Sequence, residues 1–467
     1  MTAKPSFAFV TIGNGSYLGS TVRDIALANA LHRRGFRVAV YWMLECKPDL
    51  VTKGIRQRML CHGTRYQFRR PSEFLDRIIG ALLFLVPLRS RVRFAQNLPG
   101  FIDKLLVNLI RSLYETPQAD RLLVKRLLKY LALDEVSHLM MGFGSIGPLA
   151  LAAKKNGDHS FDYVLTFQGD EEFANYARQA GLFAEYRERL SEVVQGSRWP
   201  AILISQDYRN RIADEMSFDR ERLEVIYNGI DLVEPTEKPS FSILKKAFPD
   251  LLKEIAIVSY VGRQESEKGI DLLLYAAKLL ETRRVPMQLV ICGATAKGRA
   301  YRKVIVELAN HLGIVVHHAG TISPEVRNAL YVHSRCVVYP SINREPFGLV
   351  AVEAMSCGTP VLVPDYGGIT EVIRQGEKAG GLTFKTWNSA DLARQIERLL
   401  TDEALHGKLA ENTRAIAARF SVEHMTDAVL EHIGVGTREC SDDDLPAGCG
   451  RNAARSRERI TFPVNVS

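Results

Sequence analysis

The sequence predicts an α/β protein of two doubly wound domains, each built on a parallel sheet, and three observations carry that prediction. The chain has 467 residues, too many for one ordinary core and enough for two domains of roughly 200 residues each. Its opening segment runs strand, glycine-rich turn, helix, strand: FAFVTIG from Phe7 to Gly13, then TVRDIALANALHRRG ending at Gly35, then RVAVYWM. Two strands joined through one helix lie parallel, with their carboxyl ends opening onto the connecting turn. The second half repeats the alternation through IAIVSYVGR, DLLLYAAKLLETRR, MQLVICG, IVVHHAG, CVVYPS and TPVLVP. Hydrophobic residues at 46% and charged residues at 24% are the proportions of a packed globule, which excludes disordered and fibrous classes.

After the second strand the pattern changes. Between Lys53 and Arg93 stand ten cations (Lys53, Arg56, Arg58, Arg65, Arg69, Arg70, Arg77, Arg89, Arg91, Arg93) against Glu73 and Asp76. Such a stretch is expected to face something anionic or to stay solvated. Residues 53–132 read as one helical, basic and apolar insertion, with IIGALLFLVPL (Ile78 to Leu88) between Arg77 and Arg89 suited to lie in an interface with anionic lipid or to pack as a core helix. Strands return at YVLTF and AILIS, and EVIYNGID closes the first domain with an Asn228-Gly229 turn. The division expected is residues 1–231, then 232–420, then an amphipathic helix over 421–433 that starts at a serine cap, then a disordered polar tail over 434–467.

Lys+Arg exceeds Asp+Glu by 61 to 53, a net charge of +8, and the seven cysteines form no CxxC or Cys/His cluster. A reducing cytoplasm without structural zinc is the expectation. The first residues hold too short an apolar run for a signal peptide, and no run reaches the ~18 residues of a membrane span. The basic stretch lacks interleaved aromatics, so no nucleic-acid partner is expected.

The residues with the clearest chemistry lie from Arg344 to Gly368, REPFGLVAVEAMSCGTPVLVPDYGG. Pro346 and Gly348 stand where a helix begins, which puts Glu345 on the loop and Glu353 inside the helix. Unpaired N–H groups around Gly348 and Leu349, with the positive end of the helix dipole, suit a diphosphate. Carboxylates accept hydrogen bonds from hydroxyls, so Glu345 suits a sugar and Glu353 a ribose. Upstream, Arg263 directly follows a strand and Lys268-Gly269 precedes a helix, and two cations at a strand's carboxyl end can clamp a diphosphate.

On the VGR and KG pieces, Glu345-Pro346-Phe347-Gly348-Leu349 with Glu353, and Gly367-Gly368, the chain resembles the family 4 glycosyltransferases, retaining enzymes of the GT-B fold. The GNGSYLGS loop and the YNGID turn match the family's glycine-rich loop and interdomain turn. The resemblance covers most of residues 7–433 and is strongest over 258–373. It implies two Rossmann-like domains around a cleft, a terminal helix crossing back to the first, and a nucleotide-diphosphate sugar as donor. It makes Glu345, Arg263 and Lys268 the catalytic set, and Gly19, Arg263, Lys268, Gly293, Phe347, Gly348, Leu349 and Glu353 the donor-binding set. No cofactor and no metal at the transfer site are expected. Where many relatives carry a sugar-facing histidine this chain has Gln168, in LTFQGDEEFANYA, with Asp170 beside it; a glutamine can hydrogen-bond the sugar or its leaving oxygen but cannot titrate. Arg23 reads as a surface or interdomain charge.

The function expected is transfer of a hexose-type sugar to a glycan or lipid-linked acceptor in cell-surface polysaccharide or glycoconjugate biosynthesis, by a cytoplasmic protein peripheral to the inner membrane face. A GT-B-type nucleotide-sugar epimerase would use the same cleft without an acceptor, and a catalytically silent nucleotide-sugar-binding protein is suggested by Gln168. A dehydrogenase is disfavoured, since Glu45 is the only acidic residue near the end of the second strand.

Overall fold

The computed structural model describes residues 5–13, 19–62, 121–169, 171–233, 238–295 and 299–436. Strand β1 (Ser6–Gly13) is buried along its whole length, and this explains its near-continuous apolar sequence: a central parallel strand is covered on both faces. Helix α1 (Gly19–Arg33) returns the chain to β2 (Arg37–Leu44), which pairs parallel with β1 from Ser6↔Arg37 to Gly13↔Leu44.

Next comes β3 (Arg56–His62), an edge strand paired with β2, which corrects the single helical insertion expected over 53–132. In RQRMLCH the cations alternate with other residues, a strand period, and Leu60 and Cys61 are buried. Arg56 and Arg58 do not wait for an outside anion: both pair with the buried Asp134, Arg58 at 2.6 Å and Arg56 at 3.1 Å, and the Tyr41 hydroxyl donates to the same carboxylate at 2.9 Å. Burial pushes the Asp134 carboxyl up, but Arg58, Tyr41 and Arg56 outweigh it and hold it below the ordinary carboxylate value. Residues 63–120, including Ile78 to Leu88, lie outside the described residues. Helix α2 (Arg121–Leu133) buries Leu123, Val124, Leu127 and Leu131 and turns Arg121, Lys125, Arg126 and Lys129 outward.

Strands β4 (His138–Met141), β5 (Asp162–Phe167), β6 (Ala201–Leu203) and β7 (Leu223–Val225), with helix α3 (Gln206–Met216) after β6, complete a seven-stranded parallel sheet ordered β3-β2-β1-β4-β5-β6-β7. The second sheet begins at β8 (Ile257–Val261), followed by helix α4 (Ile270–Thr282), β9 (Gln288–Cys292), β10 (Val316–Ala319) and β11 (Ser334–Val338). Helix α5 (Leu349–Ser356), β12 (Val361–Pro364), helix α6 (Ile369–Val372), the antiparallel pair β13 (Arg374–Gln375) and β14 (Lys378–Ala379), and β15 (Gly381–Phe384) follow. Its parallel order is β10-β9-β8-β11-β12-β15. Each sheet reverses its strand order once, between β1 and β4 and between β8 and β11, and a crevice opens at the carboxyl ends of those strands.

The chain passes between the domains twice, side by side: the Ile230 N–H donates to the Phe420 carbonyl at 3.0 Å and the Val422 N–H to the Ile230 carbonyl at 2.9 Å. Helix α7 (Val422–His432) is capped by Ser421, whose Oγ accepts from the His424 N–H at 3.1 Å, and lies on the first domain. Val422, Met425, Val429, Leu430 and Ile433 join the core that holds Phe7, Ile25, Leu31 and Trp42. Arg33 at the end of α1 and Arg34 just after it pair with Glu423 at 3.0 and 2.7 Å. Among the described residues no helix is long and apolar enough to cross a membrane. The tail beyond residue 436 lies outside the described residues.

Candidate active site

The crevice between β8 and β11 collects the residues that the sequence singles out in the second half. Beyond β8 the chain runs through Arg263 into a short 3-10 turn, Ser266–Lys268, and then Gly269 starts α4. Gly269 has φ +62°, and a Cβ there would lie 2.1 Å from the Pro340 carbonyl oxygen, so only glycine lets these two loops touch. Across that contact β11 ends, and the chain turns through Tyr339 to Glu345 and on to Gly348, whose φ of +84° starts α5.

The Lys268 ammonium lies 2.8 Å from Glu345 Oε2, and the Tyr339 hydroxyl donates to the same oxygen at 3.0 Å. The ammonium also sits 5.3 Å above the Tyr339 ring, within cation–π range. Burial opposes the Lys268 charge, but the Glu345 carboxylate outweighs burial and holds the ammonium well above its ordinary 10.5. Burial likewise pushes the Glu345 carboxyl up, yet Lys268, Tyr339 and Arg263 outweigh it and leave the carboxyl below its ordinary 4.5. Both groups are therefore ionised near neutral pH. Burial, followed by Glu345, pushes the Tyr339 phenol up to about 12, so it stays a neutral donor. With Lys268 and Tyr339 both on Oε2, Glu345 Oε1 is the oxygen left to meet a ligand. The N–H groups of Gly348, Leu349 and Val350 belong to the set that a helix leaves unpaired at its start.

Residues 245–416 match the family model for glycosyl transferases group 1. The chain is 35% identical over 218 residues to the D-inositol 3-phosphate glycosyltransferase of Rhodococcus erythropolis, covering 46% of this chain and 48% of that protein. It is 34% identical over 247 residues to that of Nocardia farcinica, covering 51% and 54%. The chain thus spans about half the length of the curated relatives it matches. A glycosyltransferase structure from Rickettsia africae ESF-5 superposes with a TM-score of 0.66 at 16% identity, over 92% of this chain and 97% of that one. Anabaena Alr3699/HepE in complex with UDP-glucose does so with a TM-score of 0.66 at 19% identity, over 92% and 99%. The fold is GT-B, the class that the sequence predicts.

Within this GT-B frame the other candidate residues take distinct places. Glu353, inside α5, has both oxygens engaged: Oε1 lies 3.2 Å from Arg327 Nη1, and Oε2 accepts from the Tyr331 hydroxyl at 3.0 Å. Arg263 pairs with Glu265, and with Glu267 at 3.3 Å, so both acids share the cation that a diphosphate would take. The Phe347 ring is buried against Tyr227 and Phe420, at 6.2 and 5.4 Å between centroids, and belongs to the packing between domains. At Gly293 the N–H donates to the Gly320 carbonyl at 2.9 Å and the carbonyl accepts from Gln264. A Cβ on it would lie 1.7 Å from the Gly262 oxygen.

On the first-domain side Gly19 begins α1 beside the mouth of α5: a Cβ on it would stand 3.5 Å from Leu349 Cδ1. Gln168 follows β5, and its amide nitrogen donates to Asp24 Oδ1 at 2.9 Å and to the Gly142 carbonyl at 2.8 Å. Two acceptors fix the orientation of the amide and occupy both of its hydrogens. Donation to a leaving oxygen, left open by the sequence, would require one of these bonds to break. Arg23 is 1% exposed and paired with Asp24 at 3.2 Å, so it is a core charge and not a surface one. Burial pushes the Asp24 carboxyl up against the pull of Arg23 and Gln168. Asp24 went unnoticed in the sequence, although two charges between Val22 and Ile25 on a buried helix were a signal. Asp170 lies outside the described residues. Among the described residues no group of three or more His, Cys, Asp or Glu is placed to hold a metal ion.

Proposed function

We propose that the chain is a retaining glycosyltransferase that moves a hexose-type sugar from a nucleotide-diphosphate sugar to a glycan or lipid-linked acceptor, in cell-surface polysaccharide or glycoconjugate biosynthesis. The observation that carries the reading is the buried Lys268–Glu345–Tyr339 array at the mouth of α5, on the crevice where an α/β sheet binds its ligand. Breaking the anomeric bond builds negative charge on the diphosphate and positive charge on the sugar ring. Arg263, Lys268 and the first N–H groups of α5 meet the former, and Glu345 Oε1 meets a sugar hydroxyl and the ring's charge. Glu353, held in one orientation by Arg327 and Tyr331, accepts from a ribose hydroxyl. On this reading Arg263, Lys268 and the start of α5 supply the positive potential at the leaving group in place of a divalent ion. The UDP-glucose bound by Anabaena Alr3699/HepE supports a nucleotide-sugar donor.

A panel of UDP, GDP and ADP sugars tests this directly, by nucleotide release in the presence of chelator. One donor is expected to release nucleotide, and NMR of the product to show the donor's anomeric configuration retained; a panel with neither release nor thermal stabilisation sinks the reading. For the acceptor, the outward cations of α2, with no acidic residue on that helix, support docking at an anionic membrane on its cytoplasmic face. Cosedimentation with anionic vesicles is expected at low salt and lost at high salt; no binding at low salt ends the membrane reading.

A further inference from the structure

The start of α3, in the first domain, is fastened by two segments of the second. Ser205 caps the helix from its own side, its Oγ accepting from the Tyr208 N–H at 3.2 Å. The first two N–H groups of the helix, of Gln206 and Asp207, donate across the domain interface to Glu371 on α6 at 2.9 and 2.7 Å. The Tyr227 hydroxyl adds a third bond to that carboxylate at 2.9 Å. A carboxylate at a helix start is favoured both by the unpaired N–H groups and by the helix dipole. The Asp207 side chain in turn accepts from Arg344, whose Nε lies 3.0 and 3.1 Å from its two oxygens and whose Nη2 makes a further bond. A fork-shaped pair of this kind fixes direction as well as distance.

Both segments end on Glu345. Arg344 is its chain neighbour. From the other side the Ile369 N–H, in the same short helix as Glu371, donates to the Glu345 carbonyl at 3.3 Å. The chain between them is closely stacked: a Cβ on Gly367, whose φ is +92°, would lie 2.7 Å from the Glu345 carbonyl oxygen, and one on Gly368 would lie 2.2 Å from Ser205 Oγ. The Glu345 backbone is bonded within the second domain, by Ile369, and the first domain holds the residues on either side of that bond, Arg344 and Glu371.

We propose that Asp207, Arg344 and Glu371 are positioning residues that form an interdomain clasp, setting Glu345 in its working place only when the two domains are docked on each other. The proposal rests on the reading of Glu345 as the group that meets the donor sugar. Rotation of one domain away from the other breaks the Arg344 pair and the Glu371 cap together and releases the loop on both sides of Glu345. Misplacement of a reacting group by about 1 Å costs on the order of 100-fold in rate, so the clasp ties turnover to the closed arrangement and leaves diphosphate binding, whose cations and helix start lie in the second domain, largely unaffected.

The test uses the full chain with Arg344→Asp, Asp207→Arg, the double exchange and Glu371→Gln. Each single change is expected to lower kcat for the donor at least about tenfold while the Kd for the nucleoside diphosphate moves by less than about threefold, and the double exchange to regain about tenfold of the loss. Hydrogen exchange over residues 340–372 should quicken in the single variants and slow again in the double. Singles that match the wild type in both readouts, or a double no better than the worse single, overturn the clasp. A wild type that turns over no nucleotide sugar overturns the site reading instead, and exchange then decides the clasp by itself: unchanged exchange in Arg344→Asp overturns it.

Discussion

Glu345→Gln is expected to lower nucleotide-sugar turnover by about 100-fold while the nucleoside diphosphate binds as tightly as in the wild type or a few-fold tighter. The amide carbonyl can still accept from Lys268 and Tyr339, which share one oxygen of Glu345 at 2.8 and 3.0 Å, so the loop keeps its shape. What disappears is the negative charge facing the sugar ring as that ring becomes positive. The same change stops neutralising Lys268, whose charge then acts undivided on the diphosphate. Opposite directions for turnover and binding distinguish this outcome from simple unfolding. Steady-state kinetics with the preferred donor and calorimetry with the diphosphate measure the two; turnover within about threefold of the wild type removes Glu345 from the chemistry.

Lys268→Ala carries the largest expected effect on stability, a loss of about 3–5 kcal/mol near neutral pH, because it leaves a buried carboxylate without its cation. In the wild type, Glu345 titrates below its ordinary 4.5 in the folded state, so its contribution is present above that value and is lost as pH falls through the folded one. Lys268 titrates above its ordinary 10.5, so its contribution is complete below that value and is lost as pH rises through the folded one. Between the two ordinary values the pair contributes fully. In the variant the sign for Glu345 reverses: burial without Lys268 raises its carboxyl, the folded state then binds the proton more readily than the unfolded state, and stability recovers as pH falls. Urea unfolding from pH 8 to pH 5 should show the gap between variant and wild type narrowing with acid. A gap that stays constant argues that Glu345 is solvated and not buried beside Lys268.

The fold class was legible because both sheets are parallel and covered, so their strands stand out as apolar runs between helical stretches. Arg263 and Lys268 stood out in the sequence as cations beside glycines after a strand, and Glu345 and Glu353 as acids on the loop before a helix and inside it. Other features depend on contacts that no local pattern records. Gln168 meets Asp24 across 144 positions, and Glu371 meets the Asp207 N–H across 164. Tyr339 gave no sign of its bond to Glu345, since the last residue of CVVY reads simply as strand. Arg23 differs, since its partner Asp24 is its chain neighbour and what the sequence hides is the burial of both. The cations of β3 suggested an outside anion because their partner, Asp134, lies beyond the whole intervening stretch.

The return of α7 to the first domain has a consequence for biosynthesis. The domain made first cannot complete its apolar core when its own sheet is finished, because Val422, Met425, Val429 and Leu430 are still to be translated. Phe7, Ile25 and Trp42 therefore wait, partly uncovered, while the whole second domain is synthesised. Completion of the first domain's core is thus tied to synthesis of the second: the last described helix to be made supplies the side chains that cover the first sheet.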